Sequence, residues 1–124
     1  VTLALEEPFV LAGDYNVIPQ ARDAARPENW TEDALFRLET REKFRELTAL
    51  GFTDAVRSFD QSDGVYTFWD YQAGAWQKNN GIRIDHMLLS AQATDRAIGC
   101  RIDKHVRSWE KPSDHVPVIV ELDI

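Results

Sequence analysis

An acid and an imidazole stand side by side at Asp114 and His115, with Ser113 before them and the apolar run Val116-Pro117-Val118-Ile119-Val120 after. Ordinary turn residues suffice to open a strand, so this pair points to chemistry rather than to folding. Two further polar clusters abut apolar runs: Gly13-Asp14-Tyr15-Asn16 and Arg83-Ile84-Asp85-His86. Together the three suit hydrolysis of a phosphoester. That reaction needs a positioned water, a proton for the leaving oxygen and charge to offset the pentavalent state. A hard cation such as Mg²⁺, held by one or two carboxylates, is a common source of the charge. Asp14, Asp85 and Asp114 offer the carboxylates, His115 a proton-transfer group, and Asn16 a neutral donor for a phosphate oxygen. The three histidines and one cysteine have no zinc-site spacing.

Each group also has a plainer use. Gly13, Asp14 and Asn16 are the residue types of a turn after a strand. His86 and His105 read as structural or surface residues. Phe68 and Trp69 read as core, whereas Trp76, in a polar loop, is the better candidate for a nucleobase platform. Asp85 is harder to dismiss: alternation puts it on one strand face with Arg83, Met87 and Leu89, where a half-buried carboxylate wants a partner such as an imidazole N–H.

The elements that must position these groups follow from hydropathy patterning. Residues 8–13 form a continuous apolar run, the pattern of a strand buried on both faces. A polar loop and an irregular stretch follow, through residue 30. Thr40 is placed to cap a helix over residues 41–50, with Phe44, Leu47 and Leu50 on one face and Gly51 as its stop. Residues 54–58 suit a short helix, and residues 66–71 read as an aromatic strand. Residues 73–81 form a loop, 82–90 a strand, and 101–107 another strand before the closing one. The mixture predicts an α/β or α+β domain with active groups on loops at strand ends.

A chain of 124 residues with 44% apolar content fits one domain with a core of its own. No run reaches the roughly 18 apolar residues of a membrane helix, and no secretory signal pattern is present. A single cysteine, Cys100, excludes an internal disulfide and suits a cytoplasmic protein, with the thiol as a small buried group. The chain opens on Val1-Thr2-Leu3-Ala4-Leu5 without an initiator methionine, which predicts a part of a longer protein. The net charge of −7 is uneven: residues 76–112 carry seven Lys/Arg against four acids, net +3, which leaves −10 elsewhere. Such a basic strip can steer a polyanion, although scattered solvated charges would give the same count.

Four strings occur in order: residues 13–19 from Gly13-Asp14-Tyr15-Asn16, Thr67-Phe68-Trp69-Asp70-Tyr71, Gly81-Ile82-Arg83-Ile84-Asp85, and residues 110–118 around Ser113-Asp114-His115. They closely resemble the C-terminal half of bacterial exodeoxyribonuclease III, in the endonuclease/exonuclease/phosphatase superfamily. The likeness extends over nearly all of residues 1–124. It implies half of a four-layer α/β sandwich of the DNase I-like type, with the N-terminal half absent. It also implies cleavage of duplex DNA with Mg²⁺ or Mn²⁺: incision 5′ to abasic sites, 3′→5′ exonuclease and 3′-phosphatase activity. By motif, Asp14 would orient or deprotonate the attacking water, or protonate the leaving oxygen. Asn16 would bind the scissile phosphate, and His115, oriented by Asp85, would stabilise it. Asp114 would be a metal carboxylate, and Phe68, Trp69, Trp76 and Arg83 would serve substrate binding.

The resemblance also places a principal metal ligand, a glutamate, in the absent half. The fragment is therefore expected to be nearly inactive alone and to self-associate through an uncovered apolar face. Two other readings stand beside this one. One is a phosphoesterase of the same superfamily acting on a lipid or a small phosphate, and the other is a non-catalytic DNA-binding module. The basic strip and residues 110–115 favour DNA over the first, and the complete acid–imidazole set favours an enzyme over the second.

Overall fold

The computed structural model describes residues 7–123, and the apolar opening at residues 1–5 lies outside them. Its strands are β1 (Val10–Asp14), β2 (Thr53–Asp54), β3 (Asp85–Leu89), β4 (Ala97–Ile102) and β5 (Val118–Leu122). Its α-helices are α1 (Leu38–Ala49), α2 (Ala55–Phe59) and α3 (Ala91–Arg96). The strands make two antiparallel sheets, ordered β1-β3-β2 and β4-β5.

Strand β3 is central because successive side chains find apolar partners on both of its faces. Leu88, fully buried, joins Val17, Phe44 and Phe52 beneath α1. Leu89 and Met87 turn the other way and meet Ala55, Ala93, Cys100 and Val120 between the two sheets. The order of layers is thus helix, sheet, sheet. Strand β1 is only half-buried, with Ala12, Gly13 and Asp14 exposed. The expected two-sided burial fails there because, among the described residues, β1 has a partner strand on one edge only.

Helix α1 begins earlier than the sequence suggests. Arg37, extended, occupies the N-cap without a side-chain bond, and Thr40 instead donates Oγ1 to Ala34 O at 3.1 Å. Phe44 and Leu47 face the core, a burial that contributes roughly 1.5–3 kcal/mol for the phenyl ring. Leu50 does not: it lies past the last turn and is exposed. Gly51, at φ +116°, stops the helix as expected. Asp54 caps α2 and Ser90 caps α3 through their side-chain oxygens. Two further expectations are corrected. Residues 66–71 make only isolated bridges through Phe68, and the strand expected at residues 101–107 is β4, followed by a 3₁₀ turn over Lys104–Ser108.

Beneath the sheet lies a buried ionic cluster. Arg83, 1% exposed, donates Nε to Asp23 Oδ1 at 2.8 Å and forks onto Asp54 at 3.2 and 3.0 Å. Arg57 pairs with the same Asp23 oxygen. Desolvation would raise the Asp23 carboxyl, but the two guanidiniums outweigh it and hold the group below its ordinary value. His86 completes the cluster: Arg83 Nη1 donates to its Nδ1 at 3.1 Å, and its Nε2–H donates to Val17 O at 3.0 Å.

Burial and the Arg83 charge push His86 down to about 4. The unfolded chain, with histidine near its ordinary 6.5, binds a proton more readily than the folded one below that pH. Stability is therefore complete above about pH 6.5 and declines as pH falls towards 4. The expected measurement is a fall in the urea midpoint between pH 7.5 and 4.5. An unchanged midpoint in a His115→Ala background, which removes an imidazole shifted in the opposite direction, would contradict the buried neutral His86.

Candidate active site

Asp14 ends β1 and Asp85 begins β3, and the antiparallel register sets the two directly opposite each other. Like charges in that relation destabilise a sheet. Here an imidazole lies between them. His115 Nδ1 donates to Asp85 Oδ2 at 2.8 Å, and its Nε2 lies 3.8 Å from Asp14 Oδ2. Asp114 Oδ1 is 3.9 Å from the same nitrogen. Neither of these longer separations is a hydrogen bond, so Nε2 faces two carboxylates across a gap that a water or a phosphate oxygen can enter.

Desolvation alone would lower the pKa of His115. The hydrogen bond and charge of Asp85, with the charges of Asp14 and Asp114, override it and raise the pKa above the ordinary 6.5. The ring is thereby biased towards the imidazolium, oriented by Asp85.

Local structure explains how each group is held. The Asn16 amide donates to Asp14 Oδ1 at 2.9 Å, closing an Asx turn that sets Asn16 at φ +50° with its side chain exposed beside the site. Tyr15 N donates to Ile84 O at 3.0 Å, and buried Val17 and Ile18 anchor the loop behind it. The His115 amide donates to Ser113 Oγ at 3.1 Å, and the Phe68 ring stands edge-on to the imidazole at 5.1 Å.

One residue that the sequence reading passed over joins these pieces. Thr67, fully buried, accepts the amides of Ile84 and Asp85 on Oγ1, each at 3.2 Å, while its carbonyl accepts from Val116 N at 2.9 Å. It therefore sets the strand of Asp85 against the segment of His115. A threonine in an aromatic stretch carries no signal beyond a preference for extended backbone.

The structure brings together Asp14, Asp85, Asp114, His115 and Phe68, and leaves Asn16 exposed at the edge of the site. Three residues expected at the substrate have other contacts as well. Arg83 is engaged in the buried ionic cluster. Trp69, 1% exposed, donates Nε1 to Asn79 Oδ1 at 3.1 Å within the core. Trp76 is half-buried, stacked edge-on against Trp69 at 5.1 Å with Arg107 and Lys104 over its ring. The basic strip is broken too, since Arg107 is buried and donates to Trp69 O and Asp70 O. Cys100 is half-buried rather than fully so.

Atoms of Asp14, Asp85 and His115 lie within 4.8 Å of one another, close enough for a cation. A ligand imidazole must be neutral, and the raised pKa of His115 favours the imidazolium, so the ring suits proton handling better than coordination. Asp114, outside that close group, offers an oxygen donor partly open to solvent, the ligand type Mg²⁺ takes while keeping several waters.

Layers and site together define a DNase I-like α/β fold with an acid–imidazole centre at one end of its sheets. The chain belongs to the Endonuclease/Exonuclease/phosphatase family, which it matches over residues 1–115. It is similar to a 3′ phosphatase from Neisseria, solved with a product DNA hairpin, at 34% identity and a TM-score of 0.93, covering 99% of this chain and 48% of that one. An AP endonuclease from Archaeoglobus fulgidus gives 32% identity and a TM-score of 0.89, covering 95% and 46%. An exodeoxyribonuclease of Bacillus subtilis is 32% identical over 120 residues, 96% of this chain and 46% of that protein. The chain spans less than half the length of the curated relatives it matches. Among the described residues no helix is long and apolar enough to cross a membrane.

Proposed function

We propose that this chain is the C-terminal part of a divalent-metal-dependent DNA-repair nuclease. Its reactions would be incision of duplex DNA 5′ to abasic sites, 3′→5′ exonucleolytic cleavage and removal of 3′-phosphates. The observation that carries the reading is the opposed pair Asp14 and Asp85 with His115 between them, an arrangement that costs stability without a chemical use. The relatives' printed activities, on DNA ends and abasic sites, supply the substrate class.

In this reading Asp14 is the base that orients and deprotonates the attacking water, while His115, its pKa raised by Asp85, leans towards the imidazolium. His115 presents Nε2–H to the phosphate oxygens as their charge grows, and Asp85 keeps the ring in place. Asn16, exposed beside Asp14, donates to a phosphate oxygen. Mg²⁺ or Mn²⁺, when held at Asp114, would supply further positive charge at the phosphate.

The test is incision of a duplex with a single abasic site by the full-length protein, in Mg²⁺ and in EDTA, beside residues 1–124 alone. The expected result is incision by the full-length protein in Mg²⁺, and none in EDTA or by the isolated chain. Full activity in EDTA would remove the metal from the mechanism. Full activity of the isolated chain would remove the need for a second half.

A further inference from the structure

A cavity of about 180 Å³ lies between α1, α2 and the turn at Gln20, and it shares no lining residue with the acid–imidazole centre. Arg22, Arg45, Arg57 and Arg83 all contribute to its wall, against one carboxylate, Asp54. In a chain of net charge −7, four guanidiniums around one small cavity do not follow from composition. Asp54 accepts both prongs of the Arg83 fork, and Asp23, behind the wall, pairs with Arg57 and Arg83. Counting both acids, the group keeps two cations in excess. Arg22 and Arg45 account for that excess. Arg22 donates only to neutral acceptors, Gln20 Oε1 at 2.7 Å and Gln61 O and Oε1 at 2.9 and 3.1 Å. Arg45 pairs with no carboxylate among the described residues.

A second observation is independent of that charge count. Arg57 is only 8% exposed, and its Nε–H has no hydrogen-bond partner in the protein. Its Nη1 donates to Asp60 O at 3.1 Å and Ser62 O at 2.7 Å, and its Nη2 to Asp23 Oδ1. In the planar guanidinium, Nε–H and one Nη2–H leave along the same edge, the edge that binds an oxyanion through two parallel bonds. Both Asp23 oxygens have other donors, Oδ1 from Arg83 Nε at 2.8 Å and Oδ2 from Gln20 N at 3.0 Å, and neither bonds Nε. A buried cationic N–H without an acceptor is rare and costly, so it calls for an explanation.

We infer that this cavity is an oxyanion site that takes one phosphate group, with Arg22 and Arg45 at its mouth and Arg57 Nε–H as its inner donor. A phosphate answers both observations at once: its charge offsets the excess of cations, and its oxygens are acceptors only. Arg83 is fully engaged with Asp23, Asp54 and His86, so it contributes charge rather than a bond. At about 180 Å³ the cavity falls below the roughly 300–1,000 Å³ of pockets that enclose drug-sized ligands, which suits a single tetrahedral group better than a nucleotide. Free inorganic phosphate and a phosphate of a nucleic-acid backbone present the same oxygens, and the two sources are separable by experiment.

The experiment follows the thermal midpoint of the full-length protein in EDTA as sodium phosphate replaces sodium chloride at constant ionic strength. A His115→Ala background removes the imidazole that could hold phosphate at the other site. Phosphate should raise the midpoint in a saturable way. Arg22→Gln and Arg45→Gln together should move half-saturation to about 10-fold higher phosphate or more. In the same background without those two changes, the Arg57 Nε–H resonance should shift with the same half-saturation and should not respond to chloride. The Kd for an intact DNA duplex then assigns the source: weakening in the Arg22→Gln, Arg45→Gln protein marks a backbone phosphate, and an unchanged Kd marks the free anion. Stabilisation by phosphate no greater than by chloride, or a half-saturation that the two substitutions leave in place, would overturn the oxyanion site.

Discussion

Replacing His115 by Ala in the full-length protein is expected to lower Mg²⁺-dependent incision of an abasic duplex by about 10²–10⁴-fold, and Asp14→Asn by a similar factor. The two losses have different physical origins. Asp14→Asn keeps the shape at the end of β1 and removes the proton acceptor. His115→Ala removes the positive group between two carboxylates that face each other in register, so the loss should be in kcat, with the sheet ends also loosened. The pH profile separates the roles. If the working ring is the imidazolium, the rate falls as pH rises through its folded pKa, which lies above 6.5 because of Asp85. Asp85→Asn deletes both the charge and the charged acceptor at 2.8 Å, so the descending limb should move to lower pH as the rate drops. A limb that stays in place would assign that titration to another group. Unchanged rates in both Asp14→Asn and His115→Ala would refute the assignment of roles.

What the amino-acid pattern revealed, and what it hid, divides along the distance over which each feature is encoded. The acid–imidazole site was legible because its residues sit at the ends of apolar runs, and a half-buried Asp85 had to find a donor. Strand β3 was legible for the same reason, since 82–90 is apolar and bounded by Gly81 and Ser90. Alternation then failed at Arg83. The strand proper begins at Asp85, and ahead of it the chain bonds irregularly, with Arg83 N to Asp23 O at 2.8 Å and Ile82 bridged to Ala24 and Phe68. Period-two reasoning holds only inside a ladder, so Arg83 sides with His86 rather than with Asp85. The strand expected at 101–107 was displaced for a related reason: β4 holds a register shift between Ala97 and Gly99, which masks its pattern.

Gly81 read as a loop residue, yet a Cβ there would come within 2.7 Å of Trp69 Nε1 and 2.8 Å of Tyr66 Cβ, so it marks a close approach of two segments. The packing of Trp69 and Trp76 was not legible, because composition cannot say which aromatic a distant Arg107 or Lys104 will cover. Thr67 stayed invisible because its work is done through backbone atoms of segments far along the chain.

Arg83 is expected to be the most stability-critical charged side chain of the described residues. Arg83→Met, close in length and apolar, should cost about 3–5 kcal/mol in urea unfolding, the usual result of removing one partner of a buried ion pair. The reason is the asymmetry of what remains. Asp54 loses both bonds of its fork, at 3.2 and 3.0 Å, and Asp23 keeps only Arg57 and the Gln20 amide. His86 Nδ1 loses its donor at the same time. Arg83→Lys should recover only part of the loss, because an ammonium cannot reproduce a planar fork that reaches two carboxylates and an imidazole together. Arg101 is the control. Its pairs with Asp103 and Glu121 lie on the surface, with the guanidinium side chain 56% exposed, and Arg101→Met should cost about 0–1 kcal/mol. Since Arg83 lies two residues before Asp85, and His86 bonds Val17 O on the Asp14–Asn16 loop, loosening the cluster should also reach the site. Incision by Arg83→Lys at a temperature where it remains folded should therefore fall in kcat more than it rises in KM. A variant as stable as the parent protein would show that the buried charges are not held by Arg83.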